Sequence, residues 1–142
     1  MVRVFNIHLQ SIKLSSTDKD FIEQGGGETT SRKVAGKFKR AFQQRAAQAK
    51  AVKLAIKKSP HPVIVAGDFN DSPVSYTYRT LAKGMQDAFL KKGFGIGATY
   101  ADGIPLYRID YLLFDRQFKI HDFDVIKKRF SDHYPIVAKF GW

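Results

Sequence analysis

Four short polar clusters interrupt or end apolar stretches of the chain, and their side chains are carboxylates, amides and imidazoles. The clusters are Asn6 with His8, Asp68 with Asn70, Asp110 alone, and Asp132 with His133. Polar groups beside apolar strands are costly to bury unless they are paired, so this placement needs a reason. Oxygen and imidazole donors suit Mg²⁺ or Mn²⁺ held together with a phosphate group, and an imidazole exchanges a proton near neutral pH. These residue types therefore favour phosphate chemistry assisted by a divalent cation.

Each cluster also has a purely structural interpretation. The segment Asp68-Phe69-Asn70-Asp71 is typical of a turn, because Asp and Asn side chains bond their own backbone. The Asp132-His133 pair suits a cap at a strand start, and His8 suits a hydrogen-bonded core histidine. Asp110 is harder to explain structurally, because aspartate is a poor strand former and this one stands between apolar neighbours. Taken singly, the clusters leave both interpretations open.

Composition excludes several other kinds of chemistry. The 142 residues include no cysteine, which rules out disulfides, thiolate zinc sites, iron–sulfur clusters and a cysteine nucleophile. The length suits one ordinary domain, and no apolar run approaches the roughly 20 residues of a membrane-spanning helix. Any metal must therefore bind through oxygen or imidazole.

The chain is strongly basic, with 24 Lys and Arg against 13 Asp and Glu and a formal net charge of +11. No acidic residue lies between Glu28 and Asp68, whereas basic residues are frequent there. Such a charge distribution attracts polyanions, whether nucleic acid or a phosphorylated membrane surface. Arg40 and Arg45 are candidate phosphate contacts in this stretch. A solvated, lysine-rich helix face is the alternative interpretation, and charge alone does not choose between them.

The clusters need an α/β framework to bring them together. Alternating residues predict a strand over 3–9, with Phe5 and Ile7 on one face and Asn6 and His8 on the other. This strand starts almost at the first residue.

A helix and a second strand follow. Apolar residues three, four and seven apart predict a helix over 34–57, which ends before Pro60. A short apolar run predicts a strand over 63–66, buried on both faces, whose carboxyl end leads into Asp68 and Asn70. Ligands bind at that end of the strands in open α/β sheets.

The rest of the chain is predicted to hold loops, one short helix and three strands. Residues 11–31 are polar, include Gly25-Gly26-Gly27 and predict a long loop. A helix is predicted over 73–83, because Ser72-Pro73 suits its start and Gly84 its end. Further strands are predicted over 107–114, 118–126 and 135–140.

In this order the clusters resemble the carboxy-terminal half of the endonuclease/exonuclease/phosphatase superfamily. The motifs that carry the resemblance are Asn6-Ile7-His8-Leu9, Gly67-Asp68-Phe69-Asn70, Arg108-Ile109-Asp110-Tyr111-Leu112 and Ser131-Asp132-His133-Tyr134-Pro135-Ile136. The resemblance implies a deoxyribonuclease-I-like α/β fold, of which residues 1–142 form a single partial domain. That partial domain is half of a four-layer α/β/β/α sandwich, with a mixed, mainly antiparallel sheet and flanking helices.

The resemblance also implies catalytic roles. His133 is the base that prepares water to attack phosphorus, or the group that stabilises the phosphorane-like state, and Asp110 orients it. Asp68 positions or deprotonates the water, while Asn70 and His8 donate to phosphate oxygens. The implied activity is metal-dependent hydrolysis of a phosphodiester or phosphomonoester, with nucleases among the family.

The metal and the phosphate contacts are the remaining implied features. Asp132 is the implied ligand of Mg²⁺ or Mn²⁺. Phosphate or polyanion contacts are assigned to Asn6, Arg40, Arg45 and Arg108.

One departure from the family pattern shapes the expected behaviour. Family members carry an earlier half with a metal-binding glutamate, whereas only seven residues, none acidic, precede His8. We therefore expect weak cation binding and weak or no activity of this chain alone. We also expect a partner, either a homodimer mate or the missing amino-terminal half, to cover an apolar sheet face formed by Phe5, Val63, Val65, Leu112 and Ile136. The alternative is a non-catalytic half-domain that binds polyanions or oligomerises.

Overall fold

The computed structural model of the chain describes residues 1–24, 27–102 and 108–142. Ten elements follow one another in α/β order. They are β1 (Arg3–His8), α1 (Ser16–Gln24), α2 (Glu28–Lys57), β2 (Val63–Asp68), α3 (Tyr76–Ala82), β3 (Gln86–Asp87), α4 (Ala88–Lys92), β4 (Asp110–Phe114), β5 (Lys119–Val125) and β6 (Ile136–Gly141).

Four of the strands form one mixed sheet in the order β1-β2-β4-β3. The pair β1 and β2 is parallel, whereas β4 runs antiparallel to both β2 and β3. Strands β5 and β6 form a separate antiparallel hairpin. The predicted α/β class with a mainly antiparallel sheet and flanking helices is therefore confirmed.

One face of the four-stranded sheet packs against α2 and α3. Val63 and Val65 on β2 are fully buried there, together with Ala49 and Ile56 of α2 and Leu81 of α3. Burying an aliphatic side chain of this size contributes about 1.5–3 kcal/mol, so this layer fixes which residues of β2 face the helices.

The opposite face packs against the β5–β6 hairpin at one end only. Phe114 of β4 meets Phe140 of β6 edge to face, with ring centroids 4.9 Å apart. Phe118 and Phe123 complete this second core. The hairpin covers the apolar end of this face.

The prediction that a partner covers Phe5, Val63 and Val65 is wrong. These side chains face α2 and α3, because strand alternation sends the odd-numbered residues of β1 and β2 to the helix side. Leu112 and Ile136 belong to the hairpin side instead. The exposed sheet surface lies on β1, where Val4 is 62% exposed.

The polar stretch expected to be a loop contains helix α1 and the start of α2. Ser15 and Asp18 form a capping box, in which Ser15 N donates to Asp18 Oδ2 (2.6 Å) and Asp18 N donates to Ser15 Oγ (3.3 Å). Lys37 of α2 bonds the same carboxylate, and the hydrogen bonds from Lys37 and Ser15 lower the pKa of Asp18 to about 2. The loop prediction failed because it gave weight to the glycines and not to this cap.

The other predicted elements are confirmed with shifted ends. Helix α2 starts six residues before the predicted Val34, and α3 starts at Tyr76 because Ser75 Oγ, not Ser72, accepts its first amide bond, from Tyr78 N. Gly25, Gly26 and the first residue of the predicted strand 107–114 lie outside the described residues. None of the helices in the described part of the chain is long and apolar enough to cross a bilayer.

The buried phenol of Tyr78 predicts a late step in alkaline titration. Its hydroxyl donates to Asp87 Oδ2 at 2.8 Å, and burial, followed by this hydrogen bond, raises the pKa of Tyr78 to about 12. Folding thus favours the neutral phenol, whose stabilising effect is complete below its ordinary pKa of about 10. That effect is lost as the pH rises through about 12. In a spectrophotometric titration of the native protein, we expect Tyr78→Phe to remove one phenolate from the phase near pH 12.

The denatured protein is the control, because all six tyrosines should then ionise near their ordinary pKa. If the native protein also titrates in a single phase near that pKa, the packing of Tyr78 described here is incorrect.

Candidate active site

Three polar residues form one row across the sheet. His8 is the register partner of Asp68 in the parallel pair, and Asp68 is the register partner of Asp110 in the antiparallel pair. Side chains of directly paired residues project from the same face of a sheet. His8 and Asp68 end their strands and Asp110 begins β4, so the row lies at the carboxyl edge of β1 and β2.

His133 reaches the same row from the segment before β6. Its Nδ1–H donates to Asp110 Oδ2 at 2.8 Å, which leaves Nε2 as the ring atom able to exchange a proton with a substrate or water. A carboxylate that fixes the tautomer and direction of an imidazole is the arrangement used by catalytic triads.

Thr99, which sequence reasoning missed, anchors both partners of this pair. Its buried Oγ1 accepts hydrogen bonds from the backbone N–H groups of Ile109 and Asp110, each at 3.1 Å. Its carbonyl accepts from Tyr134 N at 2.7 Å, and the neighbouring Tyr100 forms a β-bridge with His133. One threonine therefore holds the start of β4 and the His133 segment together, and no local sequence pattern marks it.

The loop after β2 presents Asp68 in a fixed orientation. Asn70 adopts a left-handed conformation (φ 51°), which asparagine tolerates better than most residues. Its backbone N–H donates to Asp68 Oδ1 at 2.6 Å, and its side-chain Nδ2 donates to Asp68 Oδ2 at 2.8 Å and to the Leu9 carbonyl at 3.0 Å. Both hydrogens of the Asn70 side-chain amide are thus bonded within the protein. One of these two hydrogen bonds must break before Nδ2 donates to a phosphate oxygen.

Two pKa values in the row are displaced by the surroundings. Burial raises the pKa of Asp68, and the nearby charge of Asp110 adds to this, against the backbone hydrogen bond from Asn70 and the attraction of His133 and His8. Burial lowers the pKa of His133, but its hydrogen bond to Asp110 and the charges of Asp110 and Asp68 outweigh burial and raise that pKa overall. The carboxylates of the row therefore surround the His133 imidazole and stabilise its protonated form.

The same groups form a candidate cation site. Asp68, Asp110 and His133 each offer one ligand atom, and these atoms lie within 4.8 Å of one another. Carboxylate oxygens are ligands that a divalent cation prefers, so Asp68 and Asp110 fit such an ion, whereas Nδ1 of His133 is engaged with Asp110 and its Nε2 is the atom that exchanges a proton. Asp132, the residue expected to bind the metal, is exposed and is not part of this group in the described chain.

A cleft of about 630 Å³ opens above the row. It brings together five of the expected site residues, whose polar atoms share its surface with apolar groups of Ile12, Leu14 and Ile109. The five are His8, Asp68, Asn70, Asp132 and His133. Residues up to 125 positions apart in the chain, from His8 to His133, therefore face one space large enough for a phosphate ester.

Two arginines expected to bind phosphate are buried in the protein instead. Arg45 is 1% exposed, with Nε 3.2 Å from Asp71 Oδ2 and Nη1 donating to the Gln10 carbonyl at 3.0 Å. Arg108 is 4% exposed and pairs with Asp87 at 2.8 Å. Both guanidinium groups form ion pairs with aspartates inside the protein, so the prediction that these two arginines contact phosphate is wrong. Burial of Arg45 was indicated by its spacing in the helix, because it lies four residues from both Ala41 and Ala49 and therefore on the same apolar face.

The remaining expected contacts lie outside the cleft. Asn6 is exposed on the same face of β1 as His8, two residues from the row. Arg40 is exposed on α2 and lines a neighbouring hollow with Lys13.

A paired substitution separates the structural arginine from the surface one. We expect Arg45→Met to lower the free energy of unfolding by about 3 kcal/mol, because it leaves the largely buried Asp71 carboxylate without its partner. Arg40→Met removes the same charge from the surface of the same helix and should change stability by less than about 0.5 kcal/mol. Urea denaturation followed by circular dichroism measures both, and equal effects would contradict the structural role of Arg45.

Comparisons with known proteins bear on this geometry. No curated protein matches the chain significantly. An endonuclease/exonuclease/phosphatase from Bacteroides vulgatus is 25% identical with a TM-score of 0.61, over 70% of this chain and 44% of that structure. The mannosyl-6-phosphatase of Bacteroides thetaiotaomicron is 19% identical with a TM-score of 0.58, over 73% of this chain and 47% of that structure.

The human Nocturnin catalytic domain with bound sulfate anion is 20% identical with a TM-score of 0.54. The match covers 74% of this chain and 41% of that structure. This chain thus spans less than half the length of each of these three structures. The model of the Endonuclease/Exonuclease/phosphatase family matches residues 5–133, and the chain therefore belongs to this family.

Proposed function

We propose that this chain supplies half of the active site of a metal-dependent phosphoesterase, which hydrolyses a phosphodiester or a phosphomonoester. Family members are phosphoesterase hydrolases. The observation that carries the proposal is the convergence of Asp68 and of His133, which is hydrogen-bonded to Asp110, on one cleft. A turn or a strand cap, the structural explanations of these residues, does not require them to face a common space.

The proposed reaction is attack of a water oxygen on phosphorus, with departure of the ester oxygen. His133 Nε2 takes the proton of the water, while Asp110 holds Nδ1–H and stabilises the imidazolium that forms. Asp68 orients the water, and His8, whose Nε2 is 3.5 Å from Asp68 Oδ2, donates to a phosphate oxygen. Asp68 and Asp110 would hold a divalent cation, Mg²⁺ or Mn²⁺ in our proposal, which would supply neutralisation of phosphate charge.

The proposal treats residues 1–142 as the carboxy-terminal part of a catalytic domain. The matched structures are more than twice as long as the aligned part of this chain, which supports a division of the site between two segments. We propose that the exposed face of β1 is covered by an amino-terminal half or by a second copy. A solution mass near 16 kDa, without binding of an apolar-surface dye, would contradict that cover.

A non-catalytic, polyanion-binding half-domain is the second candidate function. Its support is the net charge of +11 and the acid-free stretch that forms most of α2. This candidate predicts binding that weakens steeply with salt and persists in a chelator, without hydrolysis.

Hydrolysis of bis(p-nitrophenyl) phosphate and p-nitrophenyl phosphate tests the proposed function. Turnover is measured with Mg²⁺, with Mn²⁺ and with EDTA, for this chain alone and for the chain fused to the amino-terminal half of a family member. We expect turnover in the fused protein with cation, and weak or none in the chain alone. His133→Ala and Asp68→Asn should each lower kcat by at least about 100-fold, because each removes a group that handles the water.

Asp124→Asn is the matched control, since this exposed carboxylate of β5 lies outside the cleft. Circular dichroism of all three variants checks that they fold. Full turnover in folded His133→Ala, or equal turnover in EDTA, would refute the proposed mechanism.

A further inference from the structure

A basic hollow lies beside the cleft, between the segment after β1 and the first half of α2. Its volume is about 400 Å³. Donor side chains dominate its lining, which includes Gln10, Ser11, Lys13, Lys37, Arg40 and Gln44. No carboxylate lines this hollow within the described chain.

Two cations in this hollow have no internal partner among the described residues. Lys37 is neutralised by its ion pair with Asp18. Lys13 and Arg40 are exposed, and neither forms an ion pair with an acid whose side chain the structure describes. An ammonium, a guanidinium, an amide and a hydroxyl group are the donors that proteins use for phosphate oxygens.

The basic surface continues from this hollow along α2. A second hollow shares Lys37 and Arg40, adds Lys33 and Arg32, and is also lined by Asp18, the ion-pair partner of Lys37. Lys33 and Arg40 lie seven residues apart with the ion-paired Lys37 between them, so the two cations form one stripe of about 10 Å on the helix. A single phosphate occupies one hollow, whereas a stripe of this length matches an anion with repeated charges.

The hollow and the catalytic cleft are neighbours. Ser11 lines both of them, and the cleft also contains His8 and His133. A ligand that crosses Ser11 therefore has one end at the catalytic row and the other at Lys13 and Arg40.

We propose that this hollow binds a second phosphate group of the substrate, while the phosphate to be cleaved lies in the cleft. This proposal rests on the proposed function and narrows its substrate class to molecules with at least two phosphate groups. A nucleic acid strand and a polyphosphorylated small molecule share this chemistry. The stripe along α2 favours the strand, because its phosphates repeat along its length.

Binding of a labelled single-stranded 12-mer of thymidylate tests the proposal. Fluorescence anisotropy is measured in EDTA, so that no cation-dependent hydrolysis occurs, on the unchanged chain and on two double variants. Lys13→Gln with Arg40→Gln removes the two unpaired cations of the hollow. Lys57→Gln with Lys58→Gln removes equal charge from exposed positions about 25 Å further along the same helix axis.

We expect the hollow variant to lose about tenfold in affinity, because two charge-assisted phosphate contacts disappear. The slope of log K against log salt should flatten by about 1.4, at about 0.7 for each contact with a single strand. The control should stay within about twofold at physiological salt, where charges are screened beyond about 8 Å. An unchanged slope in the hollow variant, or equal losses in the two variants, would overturn the proposal.

Competition by inositol hexakisphosphate identifies the source of the phosphate groups. Tighter binding of the oligonucleotide favours a strand, and tighter binding of the inositol phosphate favours a small polyphosphate; either supports the hollow if Lys13 and Arg40 are required. Failure of the proposed function is visible separately, as hollow-dependent binding by the chain while its fusion to the amino-terminal half hydrolyses neither nitrophenyl ester with Mg²⁺ or Mn²⁺.

Discussion

The register of three strands is the constraint on which the candidate site depends. His8, Asp68 and Asp110 share one row only because β1, β2 and β4 are aligned as they are. A slip of one residue in β2 would turn Asp68 towards the helices and bring Val63 and Val65 out of the core. The apolar layers on both faces oppose that slip, so the hydrophobic cores place the carboxylates.

Buried polar contacts fix the loops that carry the remaining site residues. Arg45 joins the segment after β1 to the loop after β2, through the Gln10 carbonyl and Asp71. The Tyr111 hydroxyl lies 2.8 Å from the Asp71 carbonyl oxygen, beneath the same loop. In the same way, the hydrogen bonds that Thr99 accepts join the start of β4, with Asp110, to the segment that carries His133. The loops that border the cleft are thus fixed by hydrogen bonds to buried side chains. Such fixed loops suit a site that must keep several groups in one geometry.

Much of this framework follows from the sequence, because its determinants are local. Alternation predicts β1 and the face of His8, and the apolar run predicts β2 with Asp68 following its carboxyl end. The α1 helix was missed although Ser15 and Asp18 carry its cap, since a short capping signal was outweighed by three glycines. Burial of Arg45 and Arg108 depends on partners 26 and 21 residues away, and that information is absent from charge counts. The role of Thr99 likewise arises only when three distant segments meet.

The proposed site requires the end of β1 and the segment before β6 to face one phosphate. Imidazole NMR tests it directly, because the chain has only four histidines and two of them, His61 and His121, lie outside the cleft. At fixed pH with Mg²⁺ present, titration with inorganic phosphate should move the His8 and His133 resonances together, with one saturation constant, and leave the other two in place. Separate constants for His8 and His133, or equal movement of all four, would contradict a single shared phosphate site.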